Sequence, residues 1–325
     1  MPVASMVDAI RSTLEAEMAR DERVMVLGED VGKSGGVFRA TDGLQARFGA
    51  DRVVDMPASE AAIIGASVGL ATAGLIPVPE LQFLGFSHQA FHQIGHQLAR
   101  VRYRTNARFT APVTIRAPYG GGVRAPELHS DAFESVLVHC PGVKVVAPST
   151  AADAKGLLAA AIRDPDPVIY LEPLKGYRLV RDDVPDGDHT VDLGTARVAR
   201  EGGDVTVVAW SAMVQVALEA AAAAAADGVS VQVLDLRSLV PLDVDALADA
   251  VAATGRAVVV QEAPLTAGFA SEVVATIQEE AFVYLEAPIS RVSGYDTPYP
   301  MPQLEDHYIP DAHRVLAAVK AAVGF

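Results

Sequence analysis

One loop of this sequence combines glycines with a histidine, a residue type suited to proton transfer. The stretch "APYGGGVRAPELHSD", residues 117–131, follows the strand-like run "PVTIRAP" and contains His129. Histidine titrates near neutral pH, and consecutive glycines permit positive φ and the close approach of a ligand or another chain. No G-x-S-x-G motif is present, so Ser130 does not indicate a nucleophile elbow. From the residues alone, a histidine site and an ordinary long turn both remain open.

A carboxylate offers a second place for chemistry. Glu60 begins the predicted helix "SEAAIIGASVGLATAG", just after the predicted strand "RVVDM" and Pro57. A carboxylate in the first helical turn complements the helix dipole, which is a purely structural explanation. The carboxyl end of a parallel strand is also where α/β sheets bind ligands, which is a functional explanation. The pattern alone favours the structural explanation.

The segment "GEDVGKS", residues 28–34, has part of the pattern of a phosphate-binding loop. It follows a predicted strand and ends in GKS. Only three residues separate Gly28 from Gly32, whereas a P-loop has four between its glycines, so that successive N–H groups wrap the phosphates. This spacing argues against a nucleotide P-loop.

Three histidines recur every four residues in "FSHQAFHQIGHQ". His88, His92 and His96 would lie on one face of a helix, and imidazoles at that spacing can share a metal. No cysteine or carboxylate lies in the same turns. Packing or a subunit contact explains the pattern as well as a metal site does.

Composition limits the class of protein. A length of 325 residues suggests two domains, and a hydrophobic fraction of 50% supplies buried parallel sheets. The net charge of −15 argues against nucleic acid as a partner. No apolar run approaches the roughly 20 residues of a membrane span, and the N-terminus does not resemble a signal peptide. The single Cys140 excludes a disulfide framework within the chain and favours a cytoplasmic location.

The elements that would position these residues alternate along the chain. Short β-branched runs are followed by longer helical stretches, which is typical of parallel α/β architecture. The composition changes over residues 172–203, which are rich in charged residues, glycine and proline and show no clear hydrophobic periodicity. We therefore predict an α/β domain over residues 1–175, a linker over 176–202 and a second α/β domain over 203–325.

Several segments together resemble one known family. They are "VMVLGEDVGKSGGVFRATDGLQARFGADRVVDMPASEAAIIGASVGLA", "IPVPELQFLGFS", "APYGGGVRAPELHSD" and "VLDLRSLVPLD". They are similar to the beta subunit of thiamine-diphosphate-dependent 2-oxo acid dehydrogenase first components, and the similarity covers almost the whole chain. The resemblance implies a transketolase-like fold of two α/β domains with mainly parallel sheets, a pyrimidine-binding domain followed by a C-terminal domain.

The resemblance also implies that the chain is half of a catalyst. In the family, an alpha subunit carries the GDG segment that binds magnesium and the cofactor diphosphate, and that triplet is absent here. Active sites would then form between alpha and beta subunits in a heterotetramer with two copies of each. The acyl product would pass to a dihydrolipoyl acyltransferase core, docked on the C-terminal domain through Glu286 and the carboxylate of Phe325. The acidic chain would help to steer this basic partner.

Roles for single residues follow from the same resemblance. Glu60 matches the family glutamate that hydrogen-bonds the aminopyrimidine ring of thiamine diphosphate, so the functional explanation now outweighs the structural one. Phe86 matches an aromatic residue against that ring, and Glu29 matches an acidic residue near the cofactor. His129 matches a loop histidine at the mouth of the active site, where it positions or protonates the lipoyl sulfur.

The resemblance also implies a bound cation and a class of substrate. Family members hold a structural potassium ion through backbone carbonyls. The substrate is a 2-oxo acid, with pyruvate preferred and a branched-chain 2-oxo acid as the alternative. A non-catalytic scaffold that tethers the acyltransferase is an alternative of another class. The matching potassium positions are Val113, Ala161, Ile162, Asp164 and Asp166.

Overall fold

The computed structural model describes residues 3–325, and it shows strands and helices alternating over most of that length. The strands are β1 Val3–Ser5, β2 Val24–Gly28, β3 Val53–Asp55, β4 Ile76–Glu80, β5 Thr114–Tyr119, β6 Lys144–Val146, β7 Val168–Pro173, β8 Arg181–Asp183, β9 Arg197–Arg200, β10 Val205–Ala209, β11 Val231–Asp235, β12 Ser238–Val240, β13 Ala257–Pro264 and β14 Ser290–Gly294. The helices are α1 Met6–Arg20, α2 Leu44–Phe48, α3 Glu60–Thr72, α4 Val101–Arg104, α5 Glu134–Val138, α6 Ala151–Arg163, α7 Gly176–Leu179, α8 Ala212–Ala226, α9 Val244–Thr254, α10 Phe269–Glu280, α11 Glu305–Tyr308 and α12 Ala312–Val323. Two α/β domains result, as predicted.

The first domain contains a seven-stranded sheet. Its strand order is β12-β6-β7-β5-β4-β2-β3, and every neighbouring pair is parallel except β12 with β6. Strands β2, β5 and β7 are buried along their whole length. This burial on both faces explains why these strands appear in the sequence as largely apolar runs, with Arg116 in β5 and Glu172 in β7 as the charged exceptions.

The second domain contains a five-stranded sheet of order β14-β13-β10-β11-β9. Its strands are parallel apart from β9, which runs antiparallel to β11. Helix α8 contains the alanine run predicted to be helical, and it packs against α12 and β11. Alanine, the best helix former, also allows this close packing.

The segment between the domains is partly ordered into regular structure. It contains α7, β8 and β9; β8 pairs antiparallel with β1, and β9 forms the edge of the second sheet. The sequence pattern did not predict β1, β8, β9 or β12, which are only three or four residues long. The domain boundaries after residues 175 and 202 stay a prediction.

The two domains share a hydrophobic core. One continuous cluster of buried side chains includes Leu84 and Tyr119 of the first domain and Trp210 and Phe269 of the second. Strand β12 comes after β11 in the chain but joins the first sheet. Between Val3 and Phe325, no helix is both long and apolar enough to cross a bilayer.

Candidate active site

Four predicted site residues follow four neighbouring strands. Glu29 comes directly after β2, Glu60 follows β3, Phe86 follows β4, and His129 lies in the loop after β5. These strands are adjacent and parallel in the order β5-β4-β2-β3, so their carboxyl ends form one edge of the sheet. Ligands of α/β proteins bind at such edges.

Two carboxylates form the acidic part of this edge. Glu60 is the first residue of α3 and is only 6% exposed, with Ser59 at the N-cap. Burial raises the pKa of Glu29, and the negative charges of Asp30 and Glu60 raise that pKa further. Glu29 and Glu60 therefore lie near enough to interact, and Glu29 has an increased tendency to keep a proton.

Aromatic rings form the neighbouring part of the site. Residues Leu84–Ala90 form a 3₁₀ segment that contains Phe86 and packs against α3, the helix that begins at Glu60. The ring of Phe86 lies 5.1 Å from the ring of His129, with edge-to-face geometry. Phe83 contacts both rings, at centroid distances of 5.6 Å to Phe86 and 4.5 Å to His129. Phe83 was not predicted, although it stands in the same aromatic segment, "LQFLGF".

His129 has one ring nitrogen without a partner. It ends the short 3₁₀ turn Glu127–His129, and its backbone N–H donates to the carbonyl of Pro126 at 2.9 Å. Within residues 3–325, the buried Nδ1 atom finds no hydrogen-bonding partner. Because buried polar atoms are nearly always paired, this nitrogen is suited to a group supplied from outside the chain.

The three glycines before His129 lie against the second domain and Lys175. A Cβ atom on Gly120 would stand 2.8 Å from Oε2 of Glu262, and one on Gly121 would overlap the hydroxyl oxygen of Tyr299. Gly122 has a φ of +91° and packs against Lys175. The glycines thus permit contact with residues that are far away in the sequence.

A buried ionic group lies beside the site and was missed by the sequence analysis. Arg116 on β5 donates from Nε to Oε1 of Glu172 at 2.7 Å and from Nη1 to Oε2 of Glu80 at 2.5 Å. The hydroxyl of Tyr177 also donates to Glu172. One feature of the sequence could have indicated this ionic group: each of three apolar runs contains one charged residue. These runs are "PVTIRAP", "PVPELQF" and "PVIYLE".

The predicted helical face of three histidines is wrong. Leu84–Ala90 is 3₁₀ and His92–Gln97 is π-helical, so the regular α-helical spacing is lost. The ring of His88 stacks on Phe133 at 4.4 Å, and the rings of His92 and His96 are 5.4 Å apart. Among the described residues, no group of three or more histidine, cysteine or acidic side chains is arranged to hold a metal ion.

The predicted potassium positions lie around the end of α6. Val113 immediately precedes β5, whereas Ala161 and Ile162 lie in the last turn of α6, and the carbonyl of Ala161 accepts a hydrogen bond from the N–H of Asp164 at 3.2 Å. Asp164 and Asp166 engage Lys144 and Arg102 through their carboxylates, at 2.5 Å and 2.7 Å, respectively. Their backbone oxygens would have to act as ligands, and the potassium site stays a prediction.

The predicted docking residues lie on the surface of the second domain. Glu286 is exposed and pairs with Arg256 at 2.8 Å, and Phe325 is 79% exposed at the end of the chain. Both are accessible to a partner. Their role in docking stays a prediction.

Comparisons with known proteins agree with this architecture. Residues 3–178 match the transketolase pyrimidine binding domain, and residues 194–315 match the transketolase C-terminal domain. A solved structure described as a split-gene transketolase, an inactive beta4 tetramer, superimposes with a TM-score of 0.81 and 27% identity over 98% of each chain. These matches define a transketolase-like protein that contains the pyrimidine-binding and C-terminal domains.

Relatives that match over the full length of the chain show which family of transketolase-like proteins it belongs to. The chain is 49% identical to the pyruvate dehydrogenase E1 component subunit beta of Staphylococcus epidermidis, with 100% of both chains covered. It is 48% identical to the subunit of the same name from Bacillus subtilis strain 168, again over 100% of each. The chain therefore belongs to the family of beta subunits of pyruvate dehydrogenase E1 components.

Proposed function

We propose that this chain is the beta subunit of a pyruvate dehydrogenase E1 component and contributes Glu60, Phe86, Glu29 and His129 to a thiamine-diphosphate site. The observation that carries the proposal is the placement of these residues after four adjacent parallel strands. When bound, thiamine diphosphate supplies the electron sink for decarboxylation of a 2-oxo acid. The match to the pyrimidine-binding domain supports the pyrimidine half of that cofactor as the part this chain holds.

The residues present fit such a ring. Glu60 is a buried carboxylate that can accept a hydrogen bond from, or give a proton to, a ring nitrogen. Phe86 offers an aromatic face or edge beside it. Glu29, whose pKa is raised by burial and by the charges of Asp30 and Glu60, can hold a proton close to Glu60. His129, with its unpaired Nδ1, would meet the lipoyl group that receives the acyl product.

The proposal includes partners and ions that the chain does not itself contain. An alpha subunit would bind magnesium and the diphosphate, in a heterotetramer with two copies of each subunit and in a cytoplasmic complex. Potassium would bind at the carbonyls of Val113, Ala161, Ile162, Asp164 and Asp166. The acyltransferase core would dock at Glu286 and the carboxylate of Phe325, both accessible on the second domain.

Pyruvate is the proposed 2-oxo acid. The two full-length relatives described above are both pyruvate dehydrogenase subunits. The branched-chain alternative has no comparable support.

The test is reconstitution of the chain with an alpha subunit of a pyruvate dehydrogenase E1 component, followed by a panel of 2-oxo acids. Wild-type heterotetramer should decarboxylate pyruvate fastest. Glu60→Gln should lower this rate by roughly 10²- to 10⁴-fold, because the carboxyl group can no longer exchange a proton. Glu22→Gln, a change of the same kind at an exposed position, serves as the control and should leave the rate unaltered.

Two outcomes would contradict the proposal. Near wild-type decarboxylation by Glu60→Gln would remove the role of Glu60. A wild-type chain that binds the acyltransferase and assembles with the alpha subunit, yet never turns over any 2-oxo acid, would instead indicate a non-catalytic scaffold.

A further inference from the structure

The loop that carries His129 is bonded to the second domain near its start. The backbone N–H of Gly121 donates to Oε1 of Glu262 at 2.5 Å, across a sequence separation of 141 residues. Glu262 lies on β13 and is only 6% exposed. A buried N–H that loses its acceptor is costly, so this hydrogen bond holds the loop in place.

A second carboxylate from the same domain binds the loop three residues later. The backbone N–H of Arg124 lies 3.2 Å from both carboxylate oxygens of Glu305, at the start of α11. Glu305 is 1% exposed and accepts a further hydrogen bond from the hydroxyl of Tyr299 at 3.1 Å. The Arg124 side chain adds an exposed pair with Asp306 at 2.6 Å.

The other half of the loop is held by the first domain. A Cβ atom on Gly85 would overlap the carbonyl oxygen of Leu128, so the two segments are in close backbone contact. The His129 ring then packs on Phe83 and Phe86. Residues 120–131 are therefore clamped between the two domains, with His129 at the end held by the first domain.

We propose that Glu262 and Glu305 are positioning residues for His129: through the N–H groups of Gly121 and Arg124, the second domain sets how the histidine is presented to the lipoyl group. This inference rests on the proposed role of His129. Neither carboxylate touches the reacting atoms in this proposal. Both act through the backbone of the loop.

The first test measures the loop directly and needs no activity. Hydrogen exchange of the amides of residues 120–131 is compared among the wild type, Glu262→Ala and Glu262→Gln. We expect Glu262→Ala to speed exchange at Gly121 and along the loop by roughly tenfold, because an accepting oxygen is lost. Glu262→Gln keeps an amide oxygen as acceptor and should restore exchange to near the wild-type rate.

A stability-matched control separates loop opening from general destabilisation. Val251 is fully buried on α9, which packs against α10, β10 and β11, and Val251→Ala removes core packing without touching any bond described above. This variant should leave the relative protection of residues 120–131 unaltered. Equal acceleration of loop exchange in Val251→Ala and Glu262→Ala would overturn the anchoring role of Glu262.

The second test splits the two half-reactions of the assembled heterotetramer. Transfer to a lipoyl domain is compared with decarboxylation measured with an artificial electron acceptor, and His129→Ala is the reference variant. In Glu262→Ala the lipoyl-dependent rate should fall roughly fivefold more than the artificial-acceptor rate, in the same direction as in His129→Ala, because a reacting group is misplaced. Glu262→Gln should recover most of that loss.

The positioning role of Glu262 and the proposed function of the chain can each fail without the other. An inactive wild-type heterotetramer would contradict the proposed function, and the exchange experiment would still decide whether Glu262 anchors the loop. An active wild type in which Glu262→Ala lowers both half-reactions equally, or in which Glu262→Gln gives no recovery, would overturn the positioning role.

Discussion

The protein buries two groups of carboxylates in different ways. In the first group, Glu80 and Glu172 share the guanidinium of Arg116 inside the first domain, and all three side chains are almost completely buried. The second group is formed by Glu134, Glu262 and Glu305 between the domains. Its hydrogen-bond donors are neutral: the indole N–H of Trp210, the N–H groups of Gly121 and Arg124, and the hydroxyl of Tyr299.

The two groups differ in how burial and neighbouring charges shift the pKa values of Arg116 and Glu262. Burial lowers the pKa of Arg116, but the charges of Glu172 and Glu80 outweigh this effect and raise the pKa above its ordinary value, so the guanidinium stays charged. In the second group, burial raises the pKa of Glu262 to about 7, helped by the charges of Glu134 and Glu305 and opposed by the Gly121 N–H and Lys175. The cation of the first group thus stays charged, whereas Glu262 of the second group can change its charge near neutral pH.

The largest effect is expected from removing the cation of the first group. Arg116→Met would leave Glu80 and Glu172 buried without compensation, and should lower the free energy of unfolding by about 3–5 kcal/mol. Chemical denaturation measures this change. Arg124→Met removes the guanidinium of an exposed pair and should cost less than about 1 kcal/mol. A loss of similar size in the two variants would mean that the buried pairing is not what stabilises the first group.

A smaller effect, dependent on pH, is expected for Glu262 in the second group. Its folded pKa of about 7 lies above the ordinary value of 4.5, so the folded state keeps the proton longer than the unfolded state does. Its contribution to stability is therefore fully present below pH 4.5 and is lost as the pH rises to about 7.

Glu262→Gln removes this titration and isolates its effect. The free energy of unfolding of the variant minus that of the wild type should increase by about 2 kcal/mol between pH 5.5 and pH 8. Denaturation curves of both proteins at several pH values provide the measurement. A difference that stays constant with pH would show that Glu262 does not titrate in this range.

The smallest effects compare one hydroxyl in each group. Tyr177→Phe removes a donor to Glu172, and Tyr299→Phe removes a donor to Glu305. Each should cost about 1 kcal/mol, the net value of one hydrogen bond. Only Tyr299→Phe should also speed hydrogen exchange in residues 120–131, because the Tyr299 hydroxyl lies against Gly121 and donates to Glu305, which binds the Arg124 N–H. Faster hydrogen exchange of the loop in both variants would contradict the expectation that only the second group holds residues 120–131 in place.

The sequence predicted the edge of the first sheet better than the interface between the domains. Glu60 was placed by the rule that ligands bind at the carboxyl ends of parallel strands, together with the family resemblance, and Glu29 by the resemblance alone. Nothing in the local pattern links Gly121 to Glu262, because hydrogen bonds between distant segments leave no periodic signal.

The sequence also did not predict the irregular helical turns between residues 84 and 97. The histidines of residues 88–96 have α-helical spacing, yet the chain there adopts 3₁₀ and π turns. Tertiary packing overrides helical preference at that point: His88 stacks on Phe133, and the segment Leu84–Ala90 packs against α3. The histidines do recur every four residues, but the regular α-helix that this spacing predicts does not form.

The short strand β12 has a consequence for any attempt to separate the two domains. It comes from the second half of the chain, yet it covers the edge of the first sheet at β6. A fragment that ended near residue 175 would leave β6 as an uncovered edge, with free N–H and C=O groups that invite pairing with other molecules. Expressed alone, such a fragment should therefore self-associate, whereas the intact chain supplies its own cover for that edge.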